Sequence, residues 1–293
     1  MFMRAAYQAV TVFFAVLTPL SAAELKPETV QAWDAYIRSI NARAPGNGQH
    51  FLRIDQSSDG TERVRKGEIV VAPVGDNPKH VPGGLIHDWV GTSFIPNAAI
   101  EDVLSTVNDY DRYENFYAPH VVDAKLMSRN SDEFRFRMLL MHKAMFASSA
   151  LEGDYEAKYV EVDPHRWYSV AYTTRLQQID GYGTAEAHKL PPDHGSGYIW
   201  RLYSIARFEQ RDGGVYVELE AIALSRDIPA SLHWIVEPMV RRLSKSSVIT
   251  SLEQTRTAVR GSALMTRRER RQNDAAAWSK TNARESGALT TAP

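Results

Sequence analysis

Apolar and polar residues alternate in six long runs between Val121 and Ser225, which predicts six consecutive β-strands. Turn-type sequences such as Asn130-Ser131-Asp132 separate most of the runs. Strands joined by short turns pair antiparallel, because a parallel pair needs a longer crossover. The predicted strands are Val121–Met127, Glu133–Phe146, Ala150–Val162, Arg166–Ile179, Tyr198–Glu209 and Val215–Ser225.

One more strand and two helical segments precede this series, and a helical region follows it. Pro238 interrupts that last region, so we expect a short helix before it and a longer helix after it, ending near Gly261. The longer helix is expected to cover the apolar face of a sheet of about seven strands. In the last strand that face carries Val217, Leu219, Ala221 and Ala223. The earlier segments are Leu85–Ile95, Ala98–Val107 and Tyr110–Tyr117.

The first 23 residues have the order of a secretory signal. Arg4 is their only charge, an apolar stretch over 5–20 follows, and Ser21-Ala22-Ala23 supplies small residues for cleavage. We expect cleavage after Ala23 and an exported, periplasmic protein. A lipid anchor on an N-terminal cysteine is not expected, since the chain has no cysteine. The alternative is a retained membrane anchor, for which the apolar stretch is short.

Three regions are expected after the signal. Residues 24–83 form an N-terminal extension with a helix near Pro27–Ile40 and strand-like segments at Phe51–Ile54 and Val64–Val71. Residues 84–261 form the main domain. Residues 262–293 lose apolar periodicity and predict a disordered tail. Its basic run is either solvated or makes transient contact with acidic membrane lipid.

Charge and composition remove several classes of function. Thirty-four Lys and Arg against 35 Asp and Glu give a net charge of −1, which argues against nucleic-acid binding. The lack of cysteine excludes disulfides, cysteine nucleophiles and iron–sulfur ligation. His188 and His194 lie in the insertion 181–197 without metal-ligand spacing, so neither a metal nor a cofactor is expected. The glycines of that insertion suggest a lid.

Several segments carry a resemblance to a known family. Phe94–Leu104 looks like a first strand running into a first helix, and Asn108–Val121 is similar to the pattern D-Y-x-x-Y-x-x-F-x-P-x-V. Gly213–Glu218 and Ser225–Pro229 resemble a last strand and its exit into a gripping helix. Residues 84–261 thus resemble the START-like (Bet v 1-like, SRPBCC, helix-grip) superfamily of lipid-binding and polyketide cyclase-like proteins. The resemblance implies an α+β helix-grip fold, a curved antiparallel sheet wrapped around a long C-terminal helix. It also implies an apolar cavity between the two.

The candidate ligand-binding residues line that cavity. One or two polar groups among His142, Tyr172 and Arg201 would orient the ligand. His87 is either a pocket residue or an ordinary hydrogen-bonded histidine. The full set is Phe136, Met138, Leu140, His142, Tyr172, Trp200, Arg201, Val217, Leu219, Ile235, Met239 and Leu243.

Three functions remain open at this stage. The first is an exported protein that binds or carries a hydrophobic small molecule, lipid-like in character. The second is a cyclase or dehydratase that uses His142 or Tyr172 for acid–base chemistry. The third is a scaffold with a solid core. The pattern assigns no catalytic residue, ligand identity or oligomeric state.

Overall fold

The alternating runs of the sequence form the strands that the pattern predicts. A computed structural model describes residues 23–42, 50–144, 147–228, 231 and 233–288. Side chains are described over the same ranges except 142–144, 147–149, 233, 235 and 263–288. Residues 1–22 lie outside this description, so the signal segment stays a prediction.

The main sheet is antiparallel throughout, and short connections join β5 to β6, β6 to β7, β7 to β8 and β11 to β12. In chain order the strands are β1 Ala23–Glu24, β2 Val70–Pro73, β3 Lys79–Val81, β4 Gly84–Pro96, β5 Val121–Asn130, β6 Glu133–Ala144, β7 Ala147–Asp163, β8 Arg166–Asp180, β9 His188–Lys189, β10 His194–Gly195, β11 Arg201–Arg211 and β12 Gly214–Arg226. Seven long strands pair in the order β4-β12-β11-β8-β7-β6-β5. The short strands β2 and β3 pair with β4, β9 pairs with β8, and β1 pairs with β10.

The helices complete the predicted α+β helix-grip arrangement. They are α1 Pro27–Asn41, α2 Gly60–Arg65, α3 Ile100–Val107, α4 Tyr113–Phe116 and α5 His233–Ala288, with 3-10 turns at Arg53–Gln56 and Tyr110–Arg112. Helix α5 packs mainly on β4 and α3. The apolar spacing of this helix predicts that Val248, Ile249, Leu252, Thr255 and Val259 face the sheet; all are buried except Ile249, which is half-buried. The fold that the START-like resemblance implies is therefore confirmed on the chain's own strand order. No helix in the described part of the chain is long and apolar enough to span a membrane.

The C-terminal helix differs from the sequence prediction at two places. It is continuous through Pro238, where a break was expected, and through Gly261, where an end was expected. Pro238 is the sixth residue of α5, so the helix forgoes one backbone hydrogen bond, to the Trp234 carbonyl, and continues through it. Beyond Gly261 the residues are rich in Ala and Arg, which have high helix propensity even without an apolar stripe.

The N-terminal extension contains less strand than predicted. Phe51–Ile54 runs into a 3-10 turn, and Val64 lies in α2, so only Val70–Pro73 forms a strand there. Leu52, Ile54 and Val64 are buried against Phe94 and Tyr216 of the main sheet. Packing against the sheet therefore determines the local conformation of this segment and overrides the strand preference of its short apolar runs.

The extension covers the convex face of the sheet, opposite α5. Trp33 and Ile40 of α1 pack with Ile222 and Leu224 of β12 and with neighbouring residues of β4 and β11. The sequence pattern predicts a cover for the concave face only. The extension also covers the convex side of β4, β12 and β11.

A buried ion-pair network joins the extension to this convex face. Arg207 contacts Glu218 at 3.2 Å and Glu220 at 3.3 Å, and Arg53 of the extension donates to Glu220 at 2.9 Å. Both carboxylates are fully buried, and the backbone N–H of Ile54 donates to Glu218. Burial raises the pKa of Glu218, and the attraction of Arg207 opposes that rise. The paired charges hold the extension on the sheet in one register.

Close approach of α5 to the sheet depends on a glycine in β4. A β-carbon at Gly91 of β4 would lie 2.7 Å from Val248 Cγ1 and 2.9 Å from both Leu252 Cδ1 and Val71 Cγ2. These distances are below normal van der Waals contact. Glycine at this position therefore lets the helix and β2 meet over β4.

We predict that Gly91→Val lowers the free energy of unfolding by about 1–3 kcal/mol, because overpacking forces α5 away from β4. Denaturant unfolding measures this change. Gly261→Ala is the matched control, since its new methyl group enters open space in a helix and should leave stability equal or higher. Equal stability of Gly91→Val and the wild type would contradict the contact.

We predict that Arg207→Met costs about 3–5 kcal/mol at pH 7, because it leaves buried carboxylates without their shared cation. Without Arg207 the pKa of Glu218 rises further, so the folded state binds a proton more strongly than the unfolded state. The loss in stability should therefore shrink as the pH falls from 7 to 5. Denaturant unfolding at both pH values measures it, with Lys66→Met at the exposed Lys66–Glu62 pair as control. A loss independent of pH would count against the network.

Candidate functional site

The concave face of the central strands is less buried than the convex face. Along β12, Glu218, Glu220, Ile222 and Leu224 are at most 1% exposed and lie under the extension. The alternate residues Leu219, Ala221 and Ala223 face α5 and are only half-buried. The same contrast holds on β11, where Tyr203, Ile205 and Arg207 are buried and Leu202, Ser204 and Ala206 are half-buried. Solvent therefore reaches the apolar face that the helix was expected to fill.

Small side chains make the floor of this space. Ala171 of β8 pairs with Ser204, and Ala206 and Ala221 follow on the neighbouring strands. Because α5 packs mainly over β4, the floor across β12, β11 and β8 lies beside the helix. We call this space the concave cleft. Its half-buried apolar boundary consists of Met138, Leu140, Ala171, Leu202, Ala206, Leu219, Ala221 and Ala223.

An aromatic stack lies beside the concave cleft on β6 and β7. The ring of Phe136 stacks on Tyr110 at 4.0 Å and on Tyr155 at 5.1 Å between centroids. A β-carbon at Gly153 would lie 2.6 Å from the Tyr155 ring, so glycine there lets the ring lie flat along the strand. The Tyr155 hydroxyl is buried and has no hydrogen-bond partner in the described structure. Burial raises the pKa of Tyr155, so the phenol stays protonated.

Strand β4 carries a row of buried polar groups on the same face. His87 Nε2 lies 2.9 Å from Ser225 Oγ, whereas His87 Nδ1 has no hydrogen-bond partner in the described structure. The same is true of Trp89 Nε1 and Ser93 Oγ. Burial lowers the pKa of His87 to about 4, so the imidazole is neutral at pH 7. Leaving such atoms unpaired costs about 1–3 kcal/mol each, so they are suited to a bound polar group.

Within the described residues, the concave side of β4, β12, β11 and β8 carries no formal charge where it faces α5. The described positions that face α5 on β4, β8, β11 and β12 include no Lys, Arg, Asp or Glu. The convex side differs: a groove of about 800 Å³ beside α1 is lined by seven charged residues. Several of them form ion pairs, including Arg135 with Glu156 and Lys158 with Glu133. The concave cleft therefore suits a neutral apolar molecule, and the convex groove does not.

The structure brings part of the predicted set to the concave cleft. Phe136 and Val217 are buried in the core beside it, and Met138, Leu140 and Leu219 are half-buried along it. On α5, Leu243 is half-buried and Met239 is 48% exposed. The side chains of His142 and Ile235 lie outside the described residues, so their roles stay predictions.

Three predicted residues were placed on the wrong side of the sheet. Tyr172 is 39% exposed on the convex face, where its hydroxyl donates to Glu156 at 2.6 Å. Arg201 lines the convex groove and pairs with Asp193 at 2.6 Å. Trp200 precedes β11 and is buried under α1. The period of two along β8 and β11 sends Tyr172 and Arg201 away from α5, and the later start of β11 frees Trp200 from that alternation.

The insertion 181–197 is fastened to neighbouring elements, so its contacts do not favour the lid hypothesis. Its strands β9 and β10 pair with β8 and β1. The backbone N–H of Leu25 donates to the Asp193 carbonyl at 2.9 Å, and Ser196 donates to Gln178. Within the described residues, no group of three His, Asp or Glu could hold a metal ion.

Comparison with known proteins yields structural likeness only. No family model and no curated protein matches the chain. A STAR-related lipid transfer protein fragment from Xanthomonas axonopodis has 17% identity and a TM-score of 0.43, covering 65% of this chain and 98% of that one. A START superfamily protein from Mycobacterium smegmatis has 9% identity and a TM-score of 0.37, covering 61% and 99%. The Zhui aromatase/cyclase from Streptomyces has 10% identity and a TM-score of 0.34, covering 58% and 93%. Nothing about the site is transferred from these structures.

The buried state of His87 predicts a pH dependence of stability. Between its unfolded pKa of 6.5 and its folded pKa of about 4, the unfolded chain binds a proton that the folded chain does not. Stability should therefore fall as the pH is lowered from 7 to 5, and His87→Gln should reduce that slope by up to about 1.4 kcal/mol per pH unit. Denaturant unfolding measures the slope, with the exposed His165→Gln as control. An unchanged slope in His87→Gln would refute a buried neutral imidazole.

Proposed function

We propose that this protein is an exported carrier that holds a hydrophobic, lipid-like molecule in the concave cleft. The half-buried apolar row on β11 and β12 carries the proposal, since a solid core would bury these side chains as fully as the convex ones. Small floor residues, an adjacent aromatic stack and unpartnered polar groups support a ligand site. Apolar ligand surface leaving water would contribute about 25 cal/mol per Å².

The alternatives have less support. A cyclase or dehydratase needs at least two convergent ionisable groups near its substrate. Of its two predicted acid–base residues, Tyr172 lies on the convex face and the side chain of His142 is not described. His87 has a hydroxyl, not a carboxylate, as its partner. A scaffold with a solid core would bury the alanines of the cleft floor completely, whereas the structure leaves them half-buried.

Export and membrane contact are further parts of the proposal. Export rests on the N-terminal pattern of Arg4, the apolar stretch and Ser21-Ala22-Ala23. Transient contact with acidic lipid rests on the basic run Arg267–Arg271 near the C-terminus. A carrier that leaves the inner membrane with an apolar cargo would use both features.

Native mass spectrometry of protein purified from a periplasmic extract tests ligand binding. Wild-type protein should carry a stoichiometric apolar adduct that solvent extraction removes. Met138→Glu should lose the adduct at least tenfold, because it places a charge on the boundary of the concave cleft.

Leu139→Glu is the matched control, since it adds the same charge one residue away on the opposite face of β6. Circular dichroism should show both variants folded. An adduct on Met138→Glu equal to that of the wild type would contradict the proposed site.

A further inference from the structure

The polar row of β4 bears on the chemical class of the cargo. We propose that the concave cleft selects a neutral apolar molecule with a hydroxyl group, which donates a hydrogen bond to His87 Nδ1. This inference rests on the proposed carrier function and goes beyond it by naming the polar group of the ligand.

The hydrogen bonds of Ser225 assign a role to each ring nitrogen of His87. The Ser225 hydroxyl donates to the carbonyl oxygen of Arg226 at 3.3 Å. Its oxygen then accepts from His87 Nε2–H, at 2.9 Å. Nδ1 is therefore the unprotonated nitrogen and presents a lone pair, because a neutral imidazole has one donor and one acceptor.

That lone pair is buried, and no donor in the described structure forms a hydrogen bond with it. His87 is 3% exposed, and Nδ1 has no hydrogen-bond partner in the described structure. Because Nδ1 is closed to solvent, neighbouring side chains must move to admit a ligand hydroxyl. That hydroxyl then supplies the missing donor, and its oxygen can accept in turn. Trp89 Nε1–H is an unpartnered donor two residues away on the same face of the strand. Ser93 lies about 20 Å from His87 along the strand, out of reach of the same hydroxyl. One acceptor and one donor match the hydrogen-bonding capacity of an alcohol.

The absence of charge separates an alcohol from the other common lipid head groups. A carboxylate or phosphate has no proton for Nδ1 at neutral pH, and no described concave position on β4, β8, β11 or β12 offers a cation to pair with it. An ammonium group would lack a carboxylate partner on the same strands. Burying an unpaired charge costs far more than burying a hydroxyl, so the part of the cleft lined by these strands disfavours both kinds of ion.

Matched probes test the inference. Binding of 1-hexadecanol, its methyl ether and hexadecanoate is measured by displacement of Nile red, a neutral apolar dye, at pH 7. Wild-type protein should bind the alcohol at least about tenfold more tightly than the ether, which cannot donate to Nδ1. Hexadecanoate should bind more weakly than the alcohol.

Two variants connect the preference to His87. His87→Phe keeps an aromatic ring and should bring the alcohol-to-ether ratio close to one with Nile red affinity retained. Ser225→Ala retains the imidazole but removes the hydrogen bond that keeps the proton on Nε2. The alcohol-to-ether ratio should therefore fall at least about threefold. Exposed His165→Gln should leave the ratio unchanged. Ser225→Ala keeps the test decisive if His87→Phe does not fold.

The outcomes separate this inference from the carrier proposal. If Nile red binds the wild type but alcohol and ether bind alike, a water satisfies Nδ1 and the inference is wrong while the carrier proposal stands. Tightest binding of hexadecanoate would likewise overturn the neutral class. If none of the apolar probes binds, the carrier proposal fails and this inference fails with it.

Discussion

Contact between α5 and β4 at Gly91 sets the shape of the molecule. Because this position has no side chain, Val248 and Leu252 reach the backbone of β4, and β2 closes against them from the edge. A helix seated over the first strand of the domain is displaced from the middle of a wide sheet. The concave faces of β11 and β8 therefore lie beside the helix and are lined by small or half-buried residues. The concave cleft is a consequence of where α5 is held.

The N-terminal extension explains how the sheet tolerates that opening. A sheet with an incompletely filled concave face needs stability from elsewhere, and the convex face supplies it. Trp33 and Ile40 bury apolar area against β12, while Arg53 and Arg207 neutralise two buried carboxylates. The stabilising core and the proposed binding surface thus lie on opposite sides of the same strands. Alternation along β12 makes this division possible, since Glu218 and Leu219 point to different environments.

Much of the main domain could be predicted from local pattern. Antiparallel pairing followed from short turns, and the face of β12 that meets α5 followed from the period of two at Val217, Leu219 and Ala221. The burial of residues on the convex face of the sheet could not be predicted in this way. Glu218 and Glu220 read as solvent-facing residues, and their partners Arg53 and Arg207 come from distant parts of the chain. A local signal was nevertheless present, because Tyr216, Ile222 and Leu224 make both faces of β12 apolar.

The candidate site was predicted only in part for a similar reason. Met138, Leu140 and Leu219 lie on the same face of the sheet as the buried aromatic residues, and the structure places them along the concave cleft. Tyr172 and Arg201 were chosen for their polarity, although strand parity sends them to the convex face. His87 and Trp89 share the concave face by parity, but their unpartnered atoms become evident only when the hydrogen bonds of Ser225 are known.

A crystal structure of protein purified from its native compartment and kept free of detergent tests the central claim most directly. Elongated density is expected over Ala206 and Ala221, with a polar end within hydrogen-bond distance of His87 Nδ1. A concave face filled by protein side chains, with only water at His87, would contradict it.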